Sequence, residues 1–164
     1  METLDRISQI LNRILVWIAA CFLGGMIFIT CANIILRLVW VPLRGTFELM
    51  GYFGAIVTAF ALGYAQINRS HIAVDILVLR FSKSTQKILK CINYLVCAAF
   101  FAVASWQIAK YGTTLLQTGE VTETLRFAYY PFTYGVSLGC LALSLALLVD
   151  FLKLFLGEKK EDEG

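Results

Sequence analysis

The run from Ile14 to Leu36, ILVWIAACFLGGMIFITCANIIL, holds 23 residues without a single charge. As a helix rising about 1.5 Å per residue it reaches roughly 35 Å, enough to cross a hydrocarbon core about 30 Å thick. Three more uncharged runs follow, at 49–68, 91–109 and 127–149. Across 164 residues the chain is 59% hydrophobic with a mean hydropathy of +0.76, and its charged residues, 15% of the total, gather between these runs. That division is the mark of a polytopic helical membrane protein. A β-barrel would need strands of about 10 residues alternating apolar and polar side chains, a pattern these runs lack. The expectation is an all-α membrane protein with four transmembrane helices. Residues 1–156 form its single domain, and 157–164 are a disordered charged tail.

Basic residues orient the spans. The N-terminal segment (Arg6, Arg13), the second loop (Arg69, Arg80, Lys83, Lys87, Lys90) and the tail (Lys153, Lys159, Lys160) hold most of them, whereas the opposite side has Arg37, Arg44, Lys110 and Arg126. The positive-inside rule then puts both termini in the cytoplasm. The first run is longer than a secretory h-region and has no A-x-A-like cleavage site after it, so it reads as a retained anchor. Residues 1–13 space Leu4, Ile7, Ile10, Leu11 and Ile14 as an amphipathic helix leading into it. The first loop, 37–48, is apolar for a solvated segment and is expected to form a short interfacial amphipathic helix, with Trp40 at headgroup depth. A similar helix is expected in the second loop, near residues 71–81. Ser82 or Ser84 caps the next helix, which runs from about 83 to 117. Trp106 reads as a further interfacial anchor.

Several kinds of chemistry are disfavoured. A transporter that works alone usually carries an ionisable residue at mid-membrane or a pair of Gly/Pro-broken spans, and neither is found. A bis-histidine haem needs two imidazoles, but His71 is the only histidine. One His, dispersed cysteines and border carboxylates make no metal-ligand cluster, and no G-x-S-x-G or similar nucleophile motif accompanies His71. The five cysteines all lie in spans and read as small apolar residues. No basic stripe with interleaved aromatics points to nucleic acid. The expectation is therefore no enzyme, no cofactor and no metal.

Polar residues remain at the span borders. Glu48 opens the second span, where it either complements a helix N-terminus or pairs with Arg37, with Arg44 or with a partner chain. His71 and Asp75, four residues apart, share a helix face, as an ion pair or as a solvated pair. Small residues recur four apart at Ala59 and Gly63, Ala98 and Ala102, and Gly135 and Gly139. Such spacing lets helix backbones approach closely, within the chain or against a second subunit.

In order and spacing these border residues resemble the small membrane subunit of the tripartite ATP-independent periplasmic (TRAP) transporters. The resemblance rests on Arg37, then Pro42-Leu43, then Glu48-Leu49, then His71-Ile72-Ala73-Val74-Asp75, together with the four-span plan. It implies a bacterial inner-membrane subunit that braces a large multi-span subunit, with a periplasmic substrate-binding protein delivering an organic acid such as a sialic acid, sugar acid or dicarboxylate. Sodium would bind the large subunit. By the same resemblance Arg37, Arg44, Glu48, His71 and Asp75 fix the fold or its seam with that partner. Charges on the outward loops, including Arg44, Glu48, Lys110, Glu120, Glu123 and Arg126, would help dock the binding protein. The region before the last span departs from the family pattern in carrying Pro131 alone. A small four-span transporter working as a homodimer is the alternative, and a structural membrane protein without a transport role is a third.

Overall fold

The computed structural model describes residues 2–68 and 82–161. Four helices account for most of them: α1 (Glu2–Val39), α2 (Thr46–Ile67), α3 (Lys83–Thr118) and α4 (Tyr130–Glu161). Each contains a stretch long and apolar enough to cross a membrane. Local chemistry sets their ends. Gly45 takes φ 77°, a left-handed conformation that suits glycine, and turns the chain into α2, while the Thr46 hydroxyl donates to the Leu43 carbonyl at 2.9 Å. The Ser82 hydroxyl caps α3 by accepting from the Thr85 amide at 3.4 Å. Gly119, at φ 67°, closes that helix with its N–H on the Leu115 carbonyl. Pro131 sits in the first turn of α4, where its missing N–H costs nothing.

The helices outrun the uncharged runs. α1 joins the amphipathic N-terminal stretch and the first span into one unbroken helix, since neither glycine nor proline lies between them. The expected helix in the first loop is not formed. Leu38 and Val39 extend α1 instead, and Trp40 to Gly45 is left as a short turn in which Pro42 and Gly45 forbid a helix. The second-loop helix near 71–81 lies outside the described residues. α3 runs from 83 to 118, close to its expected bounds. α4 continues through Gly157 to Glu161, where Glu and Lys are good helix formers.

α1, α2 and α4 share a core of Leu15, Ala19, Ile56, Ala59, Phe60 and Ala142, lined further by Phe22, Phe132 and Val136. α3 packs chiefly on the far side of α4, through Ala98, Leu143 and Leu147. The result is a three-helix core with a fourth helix strapped to one flank rather than a closed bundle. Large apolar side chains on α1 and α3, such as Trp17, Phe28, Phe100 and Val103, are left exposed, as lipid-facing surfaces require.

Candidate functional site

At the end of the molecule that carries the first and third loops, Glu48 stands in the first turn of α2. Its carboxylate accepts from the backbone N–H of Thr124 at 2.8 Å and of Leu125 at 3.3 Å. The third loop is shaped for this grip. Thr122, buried to 4% exposure, holds it as a tight hairpin: its N–H donates to the Phe127 carbonyl and its hydroxyl accepts from the Phe127 N–H. Arg126 takes a left-handed φ of 52° at the bend. The first loop closes against the same feature, because a Cβ at Gly45 would run into the Leu125 side chain. Asn33 of α1 accepts from the Leu43 N–H at 2.9 Å and ties that loop back to its own helix. Glu48 thus joins the start of α2 to the connection between α3 and α4.

An aromatic layer supports the clasp. One turn below Glu48, the Tyr52 ring stacks on Tyr129 at 5.5 Å and meets Phe127 and Phe132 at 5.8 and 5.5 Å. Phe132 continues to Phe53, and Phe53 to Phe22, which carries the contact from α4 through α2 to α1. Such pairs add to the area they bury. The Tyr129 hydroxyl donates to Glu120 at 2.6 Å. That bond, first, and then desolvation hold the Tyr129 phenol well above the ordinary tyrosine range.

The other border residues stand apart. Arg37, in the last turn of α1, and Arg44, in the first loop, are exposed and have no partner among the described residues. Glu48 bonds to backbone and not to either of them. Trp40 and Trp106 are 83% and 74% exposed. His71 and Asp75 lie outside the described residues. A small-residue contact crosses the seam between α2 and α4: a Cβ at Gly139 would come within 2.7 Å of the Ala59 backbone, while one at Gly135 would press on the Ile56 and Phe60 side chains. Gly63 instead faces Asn12 of α1. Ala98 is buried, whereas Ala102 is exposed.

Some polar contacts were not foreseen. Ser105 of α3 and Ser137 of α4 each donate to the other's carbonyl at 2.8 Å, and the Ser144 hydroxyl donates to the Ala98 carbonyl at 2.9 Å. The signal was present as small residues seven apart: Cys91, Ala98, Ser105 and Gly112 on α3, and Ser137 and Ser144 on α4. Gln66 donates to Asp150 at 3.0 Å between α2 and α4. Asn12, fully buried, donates from Nδ2 to the Ser8 carbonyl, while its Oδ1 and the Ser8 hydroxyl have no hydrogen-bond partner. The Oδ1 lies against Gly63, where a Cα–H contact is the available weak donor. No three His, Cys, Asp or Glu side chains gather as metal ligands among the described residues. The Glu48 carboxylate is engaged by the Thr124 and Leu125 amides, and the arrangement joins the start of α2 to the α3–α4 connection.

The family model for the DctQ component of tripartite ATP-independent periplasmic transporters matches residues 26–157. No match was found among curated proteins or among solved structures.

Proposed function

This chain belongs to the DctQ family of TRAP-transporter components, and on that premise we propose that it is the small, non-catalytic membrane subunit that braces a large transport subunit. The complex would take up an organic acid from a periplasmic binding protein, driven by sodium bound in the large subunit. The chain would sit in the bacterial inner membrane with both termini cytoplasmic, as its basic residues favour.

Beyond family membership, the reading is supported by the face that α2 turns away from the core. Gly51, Thr58 and Ala61 are exposed and Gly54 and Ala65 half-buried on that face, and a Cβ at Gly51 would meet nothing within 4 Å. These positions follow the spacing of a helix crossing seam, and small residues there let a second backbone come close where lipid gives no hydrophobic drive for association. At the loop end Glu48 and Glu120 are already bonded, and exposed Arg44, Glu123 and Arg126 are among the charges able to steer a binding protein.

The test is reconstitution into liposomes of the large subunit with and without this chain, supplied with binding protein and a sodium gradient. Uptake should require all three proteins. Full-rate uptake without this chain would overturn the proposal, and flux through this chain alone would favour the homodimeric transporter.

A further inference from the structure

A groove of about 300 Å³ opens between α3 and α4, lined by Trp106, Ala109, Lys110, Thr113 and Tyr134. It lies on an exposed flank, where Trp106 is 74% exposed. Small residues make the hollow: Ala109 forms part of its lining, and the Tyr134 ring lies against Gly112, where a Cβ would come within 3.4 Å. The register set by the Ser105–Ser137 and Ser144–Ala98 bonds places Lys110 level with Phe132, two residues from the start of α4. Lys110 is therefore at the membrane border, and Trp106 lies one turn deeper. Neither the Lys110 ammonium nor the Tyr134 hydroxyl has a hydrogen-bonding or ionic partner among the described residues. On the same side of α3, one and two turns farther into the membrane, Ala102 and Ala99 are exposed and flat, beside exposed Val103.

We propose that this groove seats one anionic phospholipid, its phosphodiester held by Lys110 and Tyr134 and an acyl chain lying along Trp106, Ala102 and Ala99. Charge decides the headgroup, since a cation at the border favours a lipid of net negative charge over a zwitterionic one. Depth decides in favour of lipid. A tryptophan below a lysine matches the boundary between acyl chains and headgroups, and a long lysine stem reaches up from a helix to the phosphate level. The occupant is a lipid rather than a segment of another subunit because cation, aromatic belt and smooth apolar track follow one another in the order in which a phospholipid presents phosphate, glycerol and chain.

The full-length chain, purified in neutral detergent, is examined by native mass spectrometry during titration with phosphatidylglycerol, with phosphatidylcholine and with inorganic phosphate. One phosphatidylglycerol should be retained in preference to phosphatidylcholine. Lys110→Gln should lower that affinity by about fivefold, the effect of one basic residue near an anionic surface. Lys90→Gln, at the other end of α3, should leave it unchanged. Trp106→Ala should weaken both lipids alike. Equal retention of phosphatidylglycerol by Lys110→Gln and the unaltered chain would overturn the proposal. So would displacement by inorganic phosphate at comparable concentration, which would show a free-anion site, or loss of the lipid on assembly with the large subunit, which would show that protein fills the groove.

Discussion

α4 has a neighbour on each flank, and the two seams are built by different means. Towards α2 it offers Gly135 and Gly139, and at Gly139 the backbones come so close that a methyl group would strike the main chain of Ala59. Towards α3 it offers Ser137 and Ser144, whose hydroxyls bond to carbonyls across the gap. In lipid, burying apolar surface between helices gains little, so association depends on close packing or on interhelical hydrogen bonds. One helix uses both. The packed seam is the stiffer, because the obstacle at Ala59 is backbone and cannot turn aside.

The hardest blow to this comparison is Gly139→Ala. Its methyl group can be accommodated only by moving α2, so the cost should lie at or beyond the upper end of the roughly 1–3 kcal/mol usual for overpacking, read from unfolding of the purified chain in bicelles. Gly135→Ala is the control. There the obstacle is mainly the tip of the Ile56 side chain, which can change rotamer, and the cost should be clearly smaller. Equal costs would mean that the α2·α4 seam is softer than described.

Next in size is Glu48→Ala, which frees the Thr124 and Leu125 amides and uncouples the loop end of α2 from the α3–α4 connection. Hydrogen exchange at those two amides should speed up markedly, while that of the helix interiors holds. The serine seam should break more gently. Ser105→Ala and Ser137→Ala, each removing one hydroxyl that donates to a carbonyl of the other helix, should each cost about 0.6 kcal/mol, near the average for interhelical hydrogen bonds in membranes. No cost for either would mean that, at the level of Ser105 and Ser137, α3 is held to α4 by shape, with the Ser144–Ala98 bond still in place.

The smallest effect concerns Tyr129. Its phenol is raised in the fold, so the bond to Glu120 contributes fully below the unfolded tyrosine value near 10 and is lost as pH rises through the folded value. Thermal unfolding scanned upward from about pH 9 should fall more steeply for the native chain than for Tyr129→Phe. Parallel curves would show that this bond contributes nothing.

Much of this architecture is legible in the amino-acid sequence. Four uncharged runs and a serine cap at Ser82 or Ser84 follow from one-dimensional chemistry, because an isolated helix must satisfy its own backbone and a lipid-facing run must exclude charge. The first loop misleads, since an apolar stretch near a span looks interfacial whether it extends the helix, as Leu38 and Val39 do, or forms a turn, as Pro42 and Gly45 do. Glu48 stands out as a residue of consequence. Its partners do not, because they are amides 76 and 77 residues away and every residue but proline has one.

Sequence by itself determined the four spanning helices and, through Gly135, Gly139, Ala59 and Gly63, the faces able to come close. Tertiary structure alone decided that Gly139 meets Ala59 while Gly63 meets Asn12, that α3 lies on α4, and that Glu48 holds backbone in place of an arginine. Span formation is a transfer from water to lipid summed residue by residue, whereas the choice among several small-residue faces depends on which pairs interlock in three dimensions, a property of pairs that no single position carries.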